Sequence, residues 1–421
     1  MLKFSPLQLI GLLAVMLSCF TVSITVAYNI GAIVSGYGAS PAQAGLVATA
    51  QGLATAVAAV LASRFAGNVG SRWFFLAGLG VLVIGNGFSA LAPNVQQLTA
   101  YQALGGFGTG LVLSTVMSTA ARTANPEMTY GIINASMGGY IVALGFLVPR
   151  VILAGGVEQL FLVYAAIAAA GFIAAFAAPN SKAPEDAAAC AQHAGEGGDQ
   201  ADKTRRQAKL VAFIALTGFG VFFFAQAGLG AFVERIGVGS GVPLTAVGYV
   251  FALGGVLTII GPLIAGWIGA RFGATLPLIV VTAALGCVVF ALAVIASPTT
   301  FYTATPLYTV LPAMLMPSFL GALAVVDPSG KAAGLQPAFA TLGGALGPAA
   351  SGVIVQQNGY GALGWYAIAV FVTGAALMAA ATIAADRKRK GATATASANA
   401  LHEGIAAPAA PTIAVPPSAG R

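Results

Sequence analysis

AGLVATAQGLATAVAAVLASRFAGNVG, residues 44–70, and VGYVFALGGVLTIIGPLIAGWIGARFG, residues 247–273, decide how this chain folds. Each is an apolar run that ends in a small basic turn carrying arginine and glycine. A shift of 203 residues overlays them: Gly45 meets Gly248, Val47 meets Val250, Gly52 meets Gly255, Thr55 meets Thr258 and Gly70 meets Gly273. Further along, VYAAIA at 163–168 echoes WYAIAV at 365–370, at nearly the same offset. A constant offset over most of the chain is the mark of a unit built twice.

Working outward from these runs, the chain divides into apolar segments. A helix needs roughly 20 apolar residues to cross about 30 Å of hydrocarbon. Twelve stretches meet that length, at 7–34, 43–63, 73–92, 97–120, 130–153, 159–178, 209–233, 245–268, 275–296, 299–326, 334–356 and 361–384. The first is too long for a signal-peptide core and is expected to be retained. Composition agrees. Of 421 residues 58% are hydrophobic and 7% charged, whereas a soluble surface needs about a quarter charged. The expectation is an all-α membrane protein of twelve transmembrane helices in two pseudo-symmetric bundles of six. Residues 1–179 form the first bundle and 209–384 the second. The polar stretch 180–208 reads as a flexible linker inside the cell. Residues 385–421 open with RKRK and continue Ala/Pro/Thr-rich; they have too little apolar bulk to fold and are expected to be disordered.

Charge sets the orientation. With the N terminus inside, sixteen of the eighteen Lys and Arg residues fall on the cytoplasmic side, and Arg150 and Arg235 fall outside. That positive-inside bias predicts both termini in the cytoplasm. Topology therefore accounts for the net charge of +7, and no nucleic-acid partner is expected. Cys19, Cys190 and Cys287 are far apart, and His193 and His402 stand alone, so neither a metal nor a cofactor is expected. GGFGTG at 105–110 lies inside a span, and SGKA at 329–332 lacks the rest of a P-loop, so nucleotide binding is not expected.

The turns carry a resemblance. The major facilitator superfamily of secondary transporters has a loop between helices two and three reading Gly-x-x-x-Asp-Arg-x-Gly-x-Arg-Arg, with a weaker copy between helices eight and nine. Here Ser63 takes the first glycine position, Gly67 the aspartate, Asn68 the first basic position, Gly70 the second glycine and Arg72 a terminal basic position. Arg64 lies in the same turn, and Gly266, Ala270, Arg271 and Gly273 take the corresponding places in the second copy. Glycine suits a tight turn where φ is positive, and basic residues hold such a turn at an anionic membrane face. The aspartate that locks one conformation in the family is missing from both copies. The resemblance implies alternating access, with two halves rocking about a midplane site. It implies that helices one, four, seven and ten line the pathway and that helices two, five, eight and eleven form the moving interface. Many members carry an arginine linked to proton coupling on helix four; here Gln102 takes that position. LVPR at 147–150 does not fit the Gly-Pro pattern of drug antiporters.

The candidate site groups are mostly neutral: Asn29, Gln51, Gln102, Tyr140, Gln226, Tyr308 and Thr309. Polar groups in a span point inward, where they meet solute or another helix, and both readings stay open for each of them. No charged residue or histidine lies near the middle of any expected span. Arg150, Glu234 and Arg235 fall near the external mouth, as gate, anion attractor or proton carrier, or as plain helix caps. The leading expectation is a monomeric carrier of a bacterial inner membrane that takes up a small organic solute, with a slight preference for an organic or aromatic acid and for proton symport. Efflux of metabolites or drugs is the alternative, and a sensor that has lost transport is a third. No enzyme is expected, because the sequence holds no nucleophile–base pair.

Overall fold

The computed structural model describes residues 5–65, 70–121, 123, 126–180, 199–327 and 331–404. Among them the chain is almost entirely helical. The first span is two helices, α1 (Pro6–Ile24) and α2 (Val26–Tyr37), which meet at a break at Thr25. Then come α3 (Pro41–Phe65), α4 (Ser71–Ala90), α5 (Val95–Ala121) and α6 (Pro126–Ala174). The second half holds α7 (Asp199–Gly230), the short α8 (Val233–Gly239), α9 (Leu244–Phe272), α10 (Thr275–Val289), a π-helical turn at Phe290–Ile295, α11 (Pro298–Val326) and α12 (Lys331–Gly404).

Among the described residues, ten helical stretches are long and apolar enough to cross a membrane. Two of them are too long for one crossing. Gly131–Ala174 holds 44 residues, about 66 Å of helix at 1.5 Å per residue. It breaks at Gly155 and Gly156, where Gly156 has φ 65° and ψ −152°, a conformation open to glycine. Leu335–Arg387 breaks in the same way at Gly359, with φ 79°. Counting the pieces on either side of each break gives twelve span-length segments. The expected linker is shorter than the sequence implies: α7 starts at Asp199 because 199–208 is free of glycine and proline. Likewise α12 runs past 385 into the Ala-rich start of the tail. Residues 181–198 and 405–421 lie outside the described residues.

Helix starts follow local chemistry. Ser5 with Gln8 and Ser297 with Thr300 make reciprocal capping boxes ahead of Pro6 and Pro298, and Ser40 with Gln43 does the same ahead of Pro41.

Two long seams join the halves, α3 against α12 and α6 against α9, and α2 also crosses α8. The seams obey the repeat. Gly45 packs on the Pro348 carbonyl, and Gly248, its counterpart, packs on the Gly145 carbonyl; Gly145 is in turn the counterpart of Pro348. Within the halves, Gly106 lies on the backbone of Gln51, and the equivalent Thr309 lies on Gly254. Small residues allow this close backbone approach. The glycine contacts between halves run from the middle of these helices, at Gly52–Ala345 and Gly138–Ile259, to the end away from the basic turns. Nearer the basic end, a Cβ at Gly131 of α6 would meet nothing within 4 Å among the described residues.

Candidate functional site

The break at Thr25 lets one helix turn show polar groups inside the first half. The Tyr164 hydroxyl, from α6, lies 2.7 Å from Thr25 Oγ1 and 2.8 Å from Asn29 Oδ1. The Asn29 amide donates to the Val22 carbonyl at 3.0 Å. The Asn29 side chain therefore pins α2 to α6. Asn29, Gln51 and Gln102 share one small cavity with Ile30, Ile33 and Phe161, with room for about a single water.

Gln102 is 2% exposed, and its amide donates to Ser89 Oγ at 2.8 Å and to Asn86 Oδ1 at 3.3 Å. It clamps α5 to α4 inside the half. The residue in the family's arginine position thus faces a neighbouring helix. Tyr140 pairs with Thr21 Oγ1 at 2.7 Å, joining α6 to α1.

In the second half the structure brings Gln226 and Tyr308 together. The Tyr308 hydroxyl donates to the main-chain carbonyl of Gln226. Gln226 Oε1 is buried and has no partner among the described residues. Phe222 and Phe223 belong to an aromatic cluster with Phe219, Phe319 and Phe371, and Phe224 pairs separately with Tyr366. Thr309 does not join them. Its hydroxyl donates to the Pro306 carbonyl of its own helix at 2.7 Å, and its side chain fills the space over Gly254.

The crossing of α2 and α8 holds the groups with most chemical potential. Glu234 is 5% exposed and lies directly on Gly31 of the opposite half, where only a hydrogen leaves it room. Among the described residues its Oε2 has no partner, and neither has the hydroxyl of buried Tyr28, three residues before Gly31. The Tyr28 ring meets Phe251 of α9 edge-on, with centroids 5.3 Å apart. Buried polar atoms in native proteins are rarely left unpaired, and those that are call for an explanation. The two arginines behave differently. Arg235 donates to Ser35 Oγ at 3.0 Å across the halves, on the exposed rim. Arg150 donates to the Phe146 carbonyl one turn back and stands over the Phe146 ring, so it engages its own helix.

The basic turns are helix-capping sites. Gly70 has φ −62°, so the positive φ expected there is absent; Gly273 has it, at 83°. What Gly70 supplies is clearance for Asn180, whose Oδ1 accepts from the Arg72 N–H at 3.4 Å. The Arg72 guanidinium donates to the Ala178 carbonyl at 3.2 Å. In the second copy Asp386 takes the place of Asn180, and its two oxygens accept from the Ala274 and Thr275 N–H groups at 3.0 Å each. The side chains of Arg64 and Arg271, the surroundings of Gly266, and Gly67 and Asn68 lie outside the described residues. Tyr28, Gly31, Tyr164, Asn86, Ser89 and Asp386 escape the sequence reading. The signal for Asp386 was present, since it is an acid that immediately precedes a run of bases.

A family model for the Major Facilitator Superfamily matches residues 11–329. The chain belongs to the major facilitator superfamily. It is a membrane transporter and not an enzyme. Solved structures agree on the fold. A D-xylose-proton symporter is 14% identical with a TM-score of 0.67, over 88% of this chain and 95% of that one. The nucleoside transporter NupG is 14% identical with a TM-score of 0.67, over 90% and 99%. A bacterial homolog of the human lysosomal transporter Spinster, inward-facing and unoccupied, is 15% identical with a TM-score of 0.68, over 91% and 98%. No curated protein matches the sequence.

Proposed function

We propose that this superfamily member is a monomeric, proton-coupled carrier that takes a small organic solute into the cell across a bacterial inner membrane, with Glu234 as the coupling group. The carrying observation is the Glu234 carboxyl buried on Gly31, its Oε2 without a partner among the described residues, at a crossing that must separate if the halves rock. An isolated carboxylate is costly to bury. With the crossing closed, the group is accommodated carrying a proton. With it open, water reaches the group and the proton can leave. The charge bias puts the basic turns and both termini in the cytoplasm. The glycine seams then close the outer face, in keeping with the fold likeness to an inward-facing transporter.

Gln226, Tyr308 and the phenylalanines beside them offer an amide and an aromatic wall to the solute. An acid would be drawn by Arg235 at the rim; the groups deeper in are neutral apart from Glu234, which favours a solute with polar, uncharged contacts at the site. The test uses proteoliposomes with an internal pH dye, challenged with a library of small metabolites. A substrate should acidify the lumen in wild type. Glu234→Gln should still exchange labelled solute but no longer move protons or accumulate solute against a gradient. Wild-type proton movement in that variant refutes the assignment. Faster solute loss from preloaded vesicles would support efflux, and no movement of any solute would support the sensor reading.

A further inference from the structure

Glu234 lies at the outer crossing, and opening that crossing returns a proton to the side it came from. Net uptake needs a second route, from the closed crossing toward the cytoplasm. One face of the first span supplies a row of hydroxyls that leads that way. Thr21, Thr25, Tyr28 and Gly31 recur every three or four residues, so they stack on one side of the helix. Backbone bonds from Thr25 to Thr21 and from Asn29 to Thr25 carry the register across the break at Thr25. Thr21 and Gly31 are ten residues apart, about 15 Å of helix. Two rungs are doubled by a tyrosine of α6: Thr25 by Tyr164 and Thr21 by Tyr140, each at 2.7 Å between oxygens. Thr21, Thr25, Tyr28 and Tyr164 are buried, whereas Tyr140 at the inner end is half-buried. Helix packing accounts for the Tyr164 and Tyr140 bonds. It gives no use for the Tyr28 hydroxyl, which is unpartnered among the described residues, as is Glu234 Oε2. Tyr28 and Glu234 interact electrostatically. Tyr28 and Thr25 also share a cavity with Ile24, Leu144, Gly145 and Phe251, with room for about two waters.

We propose that Tyr28, with Thr25, Tyr164, Thr21 and Tyr140 behind it, is the path by which the Glu234 proton reaches the inner side; this rests on Glu234 as the coupling group. Glu234 gives its proton to the oxygen beside it and is left a carboxylate. Each hydroxyl or water oxygen accepts a proton from its outer neighbour and gives its own to the inner one, so Tyr28 ends as it began. A water between two hydroxyls spans about 5.6 Å, at ~2.8 Å per bond, which covers the one-turn step from Thr25 to Thr21. The last proton leaves Tyr140 for inner water. The carboxylate left at Glu234 is costly while buried. That cost favours opening the crossing to the outer medium, where Glu234 takes up the next proton. Arg235, the charged neighbour of Glu234, is turned to Ser35 on the rim, and Glu158 stands near Tyr37 on the outer side. Neither is on the path.

The test needs no solute and uses the full-length protein in lipid. Infrared difference spectra on transfer from water to heavy water follow the protonated carboxyl band that Glu234→Gln removes. In wild type that band should shift as fast as the solvent is exchanged. Tyr28→Phe should melt like wild type and keep the wild-type distance between spin labels at Gln43 and Thr245, on opposite halves at the outer end. Its carboxyl band should shift roughly 100-fold more slowly. If Tyr28→Phe melts lower, Tyr140→Phe decides in its place, with the same slowing expected. A wild-type rate of shift in the variant overturns the path and leaves the Glu234 reading standing. A slowing that comes with a more closed distance distribution also overturns it, because Tyr28 would then govern opening. A wild-type spectrum with no band that Glu234→Gln removes defeats the Glu234 reading itself, and the path with it.

Discussion

Closure of the α6–α9 seam depends on having no side chain at Gly145. A methyl there would stand 2.7 Å from the Gly248 carbonyl oxygen and 3.2 Å from the Ala252 nitrogen. Both obstacles are backbone, so neither can swing aside, and the helices must part by some tenths of an ångström. Forcing a methyl into such packing costs about 1–3 kcal/mol. The cost falls only on the conformation with this seam shut. Gly145→Ala should therefore raise the population open at this end by roughly 5- to 150-fold. Spin labels at Gln43 and Thr245, exposed positions on opposite halves at this end, would report the distance between them. The long-distance population should grow in Gly145→Ala and stay at the wild-type level in Gly139→Ala, where a methyl meets nothing within 4 Å. An unchanged distribution in the first variant, or an equal shift in the second, refutes the reasoning.

Asp386→Ala removes two N–H acceptors at the start of α10 and should cost about 0.5–2 kcal/mol of stability, read as a lower melting temperature with solute affinity unchanged. Gln102→Leu leaves Asn86 and Ser89 short of a buried donor and should destabilise by about 1–3 kcal/mol; a loss of solute binding without loss of stability would return Gln102 to the site. Tyr28→Phe deletes a hydroxyl that has no partner among the described residues, so thermal unfolding should show no loss of stability. Gln226→Leu should weaken the thermal shift given by whichever metabolite the library identifies, and a full shift would remove Gln226 from the site.

The spans and the repeat were legible because length and apolar content decide the first, and a fixed offset decides the second. Gly45 and Gly248, aligned on sequence alone, make equivalent contacts in space. The direction of each side chain was not legible. Helices that are apolar all round carry no periodicity to mark an inward face. Thr309 bonds its own helix, α11, whereas Gln102 bonds α4 and also lines the small cavity with Asn29 and Gln51. Arg150 shared a mouth with Glu234 in the sequence reading, yet it bonds to its own helix. The burial of Glu234 depends on Gly31, some two hundred residues away, and no local pattern carries that. The caps were hidden likewise, since Asn180 and Asp386 act on helix starts more than a hundred residues earlier.

The paired seams have a consequence for how the chain can be assembled. When Gly45 on Pro348 and Gly248 on Gly145 are one contact written twice, the halves relate to each other as subunits of a two-fold dimer. Every one of these contacts is made by helices. Two separate polypeptides, one ending and the other beginning within 181–198, should then find each other in the bilayer and restore the same carrier. Their docking would be reversible and dependent on their density in the membrane, and the intact chain sets that density permanently high.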